Sequence, residues 1–229
     1  MELQEFIKKN NFKLSSIVTN LCKDALSIMD KSKDPLHPKS HILFMLDNLD
    51  KFVNQDKETA AKINYEVLLL SICWHDVWKS YKTQTQNLLK MLYEQYSDGL
   101  GSAKIFNKYA SRTNLHKSIL NQVQYCIRKH SSLQFRKRKT VESKILTDLD
   151  KLETWNIKRY EQAMVEYKKV GTLNGKKVRL AKFFFKRFMR KSTTDDYYFS
   201  WTKNEFQILK RKNKPKLIQL YEKTLLELE

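Results

Sequence analysis

Glycine and proline are scarce in this 229-residue chain, four of one and three of the other. A sheet protein needs many tight turns, so this shortage argues against strands and for helices. Cysteine is scarce too. Cys22, Cys73 and Cys126 lie far apart and never form a CxxC, which argues against a disulfide framework and for reduced thiols. No apolar run approaches the roughly 18 residues that a membrane span requires. The opening MELQEFIKKNNFK lacks the apolar core of a signal peptide, so the expectation is a cytoplasmic protein with no membrane span. Acids are outnumbered, 25 against 44 Lys and Arg, which leaves a formal net charge of +19 and a pI near 9.7. Such a field favours anionic partners: nucleotides, nucleic acid or an acidic membrane surface. A lysine-rich solvated surface has the same composition.

Apolar residues recur in steps of three and four almost throughout. Leu14, Ile17, Val18, Leu21, Cys22, Ala25 and Met29 make one stripe; His41, Met45, Leu49 and Phe52 make another. Ile63, Val67, Leu70 and Trp74 form a third, and Leu115, Ile119, Val123, Cys126, Ile127 and His130 a fourth. Ile145, Leu149 and Leu152 follow, then Tyr160, Met164 and Tyr167. This spacing is the mark of helices with one face in a core, and no stretch alternates with period two. The fold class is therefore all-α. Breaks are expected at 34–38, at Ser97-Asp98-Gly99-Leu100-Gly101, at 171–175 and at Pro215. Residues 135–139, FRKRK, read as a short basic loop. Residues 176–191, KKVRLAKFFFKRFMRK, read as a basic helix whose Leu180, Phe183, Phe184 and Phe188 face the core. Such a helix can bind membranes or acidic partners, or it is a surface helix with solvated cationic chains.

The stretch CWHDVWK at 73–79 ends a strongly apolar run on an imidazole and a carboxylate side by side. Buried charge without a partner is costly, so the pair must be exposed, hydrogen-bonded or metal-bound. Three other places put a ligand type on an apolar helical face: His41, His130 and Asp150. A lone histidine there is ordinarily a packed core residue. Three histidines with two inward-facing acids favour a shared metal ion, which satisfies imidazoles and carboxylates together.

Four segments carry a resemblance: DPLHPKSH at 34–41, LLLSICWHDVWK at 68–79, CIRKH at 126–130 and ILTDLDKL at 145–152. Their order and separations resemble the HD-domain superfamily of metal-dependent phosphohydrolases, over roughly residues 30–155. The resemblance implies an HD-domain-like helical bundle, with 1–155 as the core and 156–229 as a basic C-terminal helical extension packed on it in the same domain. It implies that His41, His75, Asp76 and Asp150 hold a divalent ion (Mn, Fe, Co, Ni or Mg), with Asp148 as the rival for the last position. Pro38 stands where an acid is common in small bacterial members. His37 is then a group near substrate or merely a helix-start residue. Lys79 and Ser80 stand where alarmone hydrolases carry a Glu-Asp pair, so that reaction is not expected.

In that setting Asp76 serves as ligand and proton acceptor, and Lys79 neutralises charge on a transferring phosphoryl group. His130 and His37 are candidates to bind substrate. The plainer readings are a solvated helix-end Lys79 and a packed His130. The expected activity is hydrolysis of a nucleotide or another small phosphorylated metabolite by metal-activated water. The alternatives are a nucleic-acid-binding module on the same fold, or a hydrolase of nucleic-acid ends. Residues 156–229 carry 19 Lys and Arg against 8 acids, which keeps both open.

Overall fold

The computed structural model of the chain describes residues 1–32, 34–81, 88–131, 137–169, 171 and 173–228, of which 88–96 and 177 are described by backbone alone. Phe135 and Arg136 of the basic loop, and Thr172 of the third break, lie outside the described residues. The chain is all-α, with no strand among the described residues. It divides into two compact units, Met1–Asp150 and Lys151–Glu229.

The first unit is built around α5 (Tyr65–Trp74). Every residue of this helix from Val67 to Trp74 is buried, because the helix is apolar on all sides. At about 1.5–3 kcal/mol per large apolar side chain, that burial makes α5 the anchor of the core. Asn64 starts the helix by accepting from the Val67 N–H at 3.2 Å, and its own N–H donates to Glu142 at 2.9 Å. Around α5 pack α2 (Ser16–Asp30), α3 (Lys39–Gln55), α7 (Leu88–Ala110) and α8 (Lys117–Lys129). The Trp74 indole N–H donates to the Leu21 carbonyl at 3.0 Å and ties α5 to α2. The α2 stripe is buried from Val18 to Met29, as its spacing requires. The short helix α1 (Leu3–Lys9) is held to α3 by Lys9 and Asp50 at 2.6 Å. The remaining elements are the single turns α4 (Lys57–Ala60) and α6 (Val77–Ser80), and α9 (Val141–Glu153), which carries Asp150.

No break occurs at 97–101. Helix α7 runs through it, because both glycines serve close packing and not turning. A Cβ on Gly99 would stand 2.7 Å from the Ile127 carbonyl of α8, and one on Gly101 would stand 2.4 Å from the Trp78 ring of α6. The break expected at 34–38 is present. Asp34 accepts from the Leu36 N–H at 3.0 Å, and the chain turns into α3 at Pro38.

The second unit contains α10 (Ile157–Lys169), α11 (Gly175–Lys191) and α12 (Ser200–Leu226). Trp155 is buried among Phe185, Phe188 and Phe206, with ring centroids 5.6–6.4 Å away. Its carbonyl accepts from Asn213 at 2.9 Å. Pro215 lies inside α12 and does not end it, so that expected break is also absent. The face assigned to the core on α11 is corrected as well. Leu180, Phe183 and Phe184 are exposed, at 48, 60 and 46%, while Phe188, at 38%, still packs its ring on Trp155. Val178, Phe185 and Met189 are the buried line instead. A run of three phenylalanines covers more than half of a helix circumference, so both faces look apolar in sequence and only one can pack.

Candidate metal centre

Each member of the centre is delivered by a helix end. His41 lies in the first turn of α3, where its N–H donates to the Pro38 carbonyl at 3.0 Å. Helix α5 stops at Trp74, His75 is its C-cap, and Asp76 precedes α6. Asp150 comes from α9, one turn beyond Leu146 on a face whose apolar members are buried. The first three side chains are essentially inaccessible, and the Asp150 carboxylate is 27% exposed. The cluster is therefore sealed on the α5 side and open beside Asp150.

One ligand atom from each of His41, His75, Asp76 and Asp150 lies within 4.8 Å of the other three. His41 Nε2 and His75 Nε2 are 3.1 Å apart. Asp76 Oδ2 is 3.5 Å from His41 Nε2 and 3.2 Å from His75 Nε2. Asp150 Oδ1 is 3.5 and 3.9 Å from the same two atoms. Ligands with bonds of about 2.1 Å sit about 3–4 Å from one another around one ion, so the spacing fits a divalent cation. It is Asp150 and not its neighbour Asp148 whose carboxylate joins the group; Asp148 is buried elsewhere.

Hydrogen bonding settles how the imidazoles face. His75 Nδ1 lies 2.8 Å from the Ile72 carbonyl, which can only accept, so Nδ1 carries the hydrogen and Nε2 offers its lone pair to the cluster. His130, the C-cap of α8, repeats the device with Nδ1 2.6 Å from the Ile127 carbonyl. Its Nε2 then points at Asp76 Oδ1, 3.5 Å away.

The charges are tightly interdependent. Burial works against a charge on His75, but the Asp76 and Asp150 carboxylates outweigh it and hold the imidazole above its ordinary value. Burial alone would raise Asp76; His75, Lys79 and His37 reverse that and hold its carboxyl well below the usual range. Asp150 is likewise lowered, burial and Asp76 being outweighed by His75, His41 and His130. The protein thus places ionised carboxylates against imidazoles and stabilises positive charge between them. A divalent ion held by these four groups would provide that charge in place of protons.

Further polar groups adjoin the centre at Asp76. Lys79 Nζ lies 2.8 Å from Asp76 Oδ1 and 3.0 Å from His37 Nε2. Burial would lower the Lys79 pKa, but Asp76, Asp98 and Asp150 hold it above the ordinary value. The ammonium is therefore held by carboxylates of the protein. His37 Nδ1 contacts Asp34 at 2.7 Å, and His37 Nε2 is 3.7 Å from Asp76. Burial opposes ionisation of Asp34, yet His37 brings its pKa down to about 2.

Asp98, 4% exposed and 3.8 Å from Lys79, was invisible in the sequence because the segment around it read as a turn. The helical spacing of Asp98, Ser102 and Phe106, all buried, was the available signal.

Comparison with protein-family models, curated proteins and solved structures finds no match to this chain.

Proposed function

We propose that this chain is a metal-dependent phosphohydrolase of HD-domain type, acting on a nucleotide or another small phosphorylated metabolite. The observation that carries the reading is the closure of two imidazole Nε2 atoms and two carboxylates onto one point, with Lys79, His37 and His130 beside it. Mixed nitrogen and oxygen ligands suit Mn, Fe, Co, Ni or Mg and leave coordination positions open. The resemblance of the four segments to the HD-domain pattern supports the same reading.

His41, His75, Asp76 and Asp150 would hold the ion, which supplies an activated water and polarises a phosphoryl group. Asp76 is the carboxylate with both functions in reach. Its Oδ2 faces the imidazoles, and its Oδ1 faces Lys79 and His130. Lys79 offers a cation to phosphoryl oxygens as their charge grows. His130 has its Nδ1–H committed to Ile127, so a proton on Nε2 is the one it can deliver to a leaving oxygen.

The test is phosphate and pyrophosphate release across nucleotides and small phosphoesters, with Mn²⁺, Co²⁺, Ni²⁺ or Mg²⁺ added to stripped protein. Activity that needs the metal and is absent from a folded Asp76→Ala variant supports the reading. Activity that survives both chelation and Asp76→Ala would place the chemistry elsewhere.

A further inference from the structure

The second unit carries a basic pocket that the metal centre does not use. It has a volume of about 450 Å³ and is lined by Arg190, Thr193, Thr194, Lys210, Arg211 and Lys214 among others, with no acid in its wall. Its cations come from two acid-free runs. One, between Glu166 and Asp195, holds ten Lys and Arg; the other, between Glu205 and Glu222, holds five. Helices α11 and α12 pack against each other and bring the end of the first run to the middle of the second. Residues 207, 210, 211 and 214 share one face of α12, so Lys210, Arg211 and Lys214 point the same way.

The four cations are not equivalent. Lys210 donates to the Ser192 carbonyl at 2.7 Å and lies over the Phe206 ring at 5.2 Å, so it helps to build the pocket floor. Arg190, Arg211 and Lys214 are exposed, and no carboxylate among the described residues pairs with them. Of the two acids that follow the pocket wall in sequence, Asp195 is exposed and outside the lining, and Asp196 accepts from the Thr193 N–H at 2.8 Å. Three unneutralised cations around hydroxyl groups form a receptor for phosphate.

The outward face of α11 extends this receptor. Leu180, Phe184, Arg187 and Lys191 follow one another in steps of four, three and four, so one stripe is apolar at first and cationic near the pocket. Phe183 stands beside it, 60% exposed. From Phe183 to Arg190 the helix axis covers about 10 Å, more than one phosphate group can span. A bilayer would have to bury Arg187 and Lys191 within the same stripe as Leu180 and Phe184. A nucleic-acid strand uses aromatic rings for its bases and neighbouring cations for its backbone.

We propose that this pocket and the exposed aromatic face of α11 bind single-stranded nucleic acid. Phosphates sit on Arg190, Arg211 and Lys214, and bases stack on Phe183 and Phe184. The site goes beyond the proposed hydrolase activity and does not depend on it. The probes are fluorescein-labelled oligouridylate and oligodeoxythymidylate of about 12 nucleotides, titrated with the full chain across a salt series and read by anisotropy. Arg190→Ala/Arg211→Ala/Lys214→Ala should weaken binding at least tenfold and reduce the log–log salt slope by about 2, three contacts at about 0.7 each. Lys23→Ala/Lys104→Ala/Lys117→Ala removes equal charge from exposed positions of the first unit and should stay within about twofold. Phe183→Ala/Phe184→Ala should lose about tenfold even at high salt, because stacking is not screened. Circular dichroism melts of each variant report that the fold survives. Equal losses in the two charge triples would overturn the site in favour of a general field. So would binding to phosphatidylserine vesicles by a protein that leaves both oligonucleotides free.

Discussion

The Nε2 atoms of His41 and His75 face one another across 3.1 Å in a pocket that exposes neither ring. One proton can bridge them, but two carboxylates then crowd the same point. A dication satisfies all four groups at once. Metal should therefore stabilise the fold by mass action, by about 2.7 kcal/mol at a hundredfold excess over Kd. For a chain of this size that is a rise in Tm of roughly 5–10 °C, at about 2–4 °C per kcal/mol. Differential scanning fluorimetry with Mn²⁺, Co²⁺ or Ni²⁺ should show the rise in the wild type and none in His75→Ala.

Asp148 and Asp150 are two residues apart and point to different environments. Asp150→Asn should lose metal while melting close to the stripped wild type, because the carboxylate is partly exposed. Asp148→Asn, at a fully buried position, should lower Tm and keep metal. Metal content and a thermal melt of the two variants separate the roles.

Lys79 is held between Asp76 and Asp98, at 2.8 and 3.8 Å. If it neutralises phosphoryl charge, Lys79→Met should cut kcat/KM by about 10²–10³-fold with metal retained. Asp98→Asn leaves the ammonium but removes one of its anchors, so a smaller loss is expected, about tenfold. An Asp98→Asn enzyme as impaired as Lys79→Met would show that Asp98 does more than position the lysine.

Asp34 is ionised in the fold down to about pH 2 because His37 faces it. An unfolded aspartate titrates near 3.9, so the depressed value contributes about 2.5 kcal/mol that is fully present above about pH 4. That contribution is lost as pH falls from about 4 to 2. Urea unfolding should therefore show wild type and Asp34→Asn converging as pH falls through that range, with a constant gap above it.

The two α7 glycines allow close helix contact. A Cβ at Gly99 meets backbone of α8, and one at Gly101 meets the Trp78 side chain. Each alanine should cost about 1–3 kcal/mol by overpacking. Gly99→Ala should be the worse, since a backbone cannot rotate away, and the crowded segment of α8 leads straight into its C-cap, His130. Denaturant titration of both variants checks the order.

These glycines also show where sequence reading stops. Helical stripes such as Met45, Leu49 and Phe52 were legible because a single buried face leaves a period that no other structure produces. His41, His75, Asp76 and Asp150 stood out because ionisable groups are costly on such faces. Asp98 did not, because its helix contains Gly99 and Gly101, and local propensity cannot tell a turn from a close crossing. The register of α11 failed for a related reason. Phe183, Phe184 and Phe185 are equivalent in composition, and only packing against Trp155, Tyr160 and Tyr221 selects Phe185. Pro215 marked a helix end by propensity, yet α12 runs on to bury Leu217 and Tyr221.

The measurement that bears most directly on the centre is metal content by elemental analysis, after stripping with chelator and reloading separately with Mn²⁺, Fe²⁺, Co²⁺, Ni²⁺ and Mg²⁺. The wild type should retain about one ion per chain of at least one of these metals, and folded His41→Ala and His75→Ala should retain almost none. A wild type that takes up none of the five, or variants that bind as much as the wild type, would contradict the metal centre.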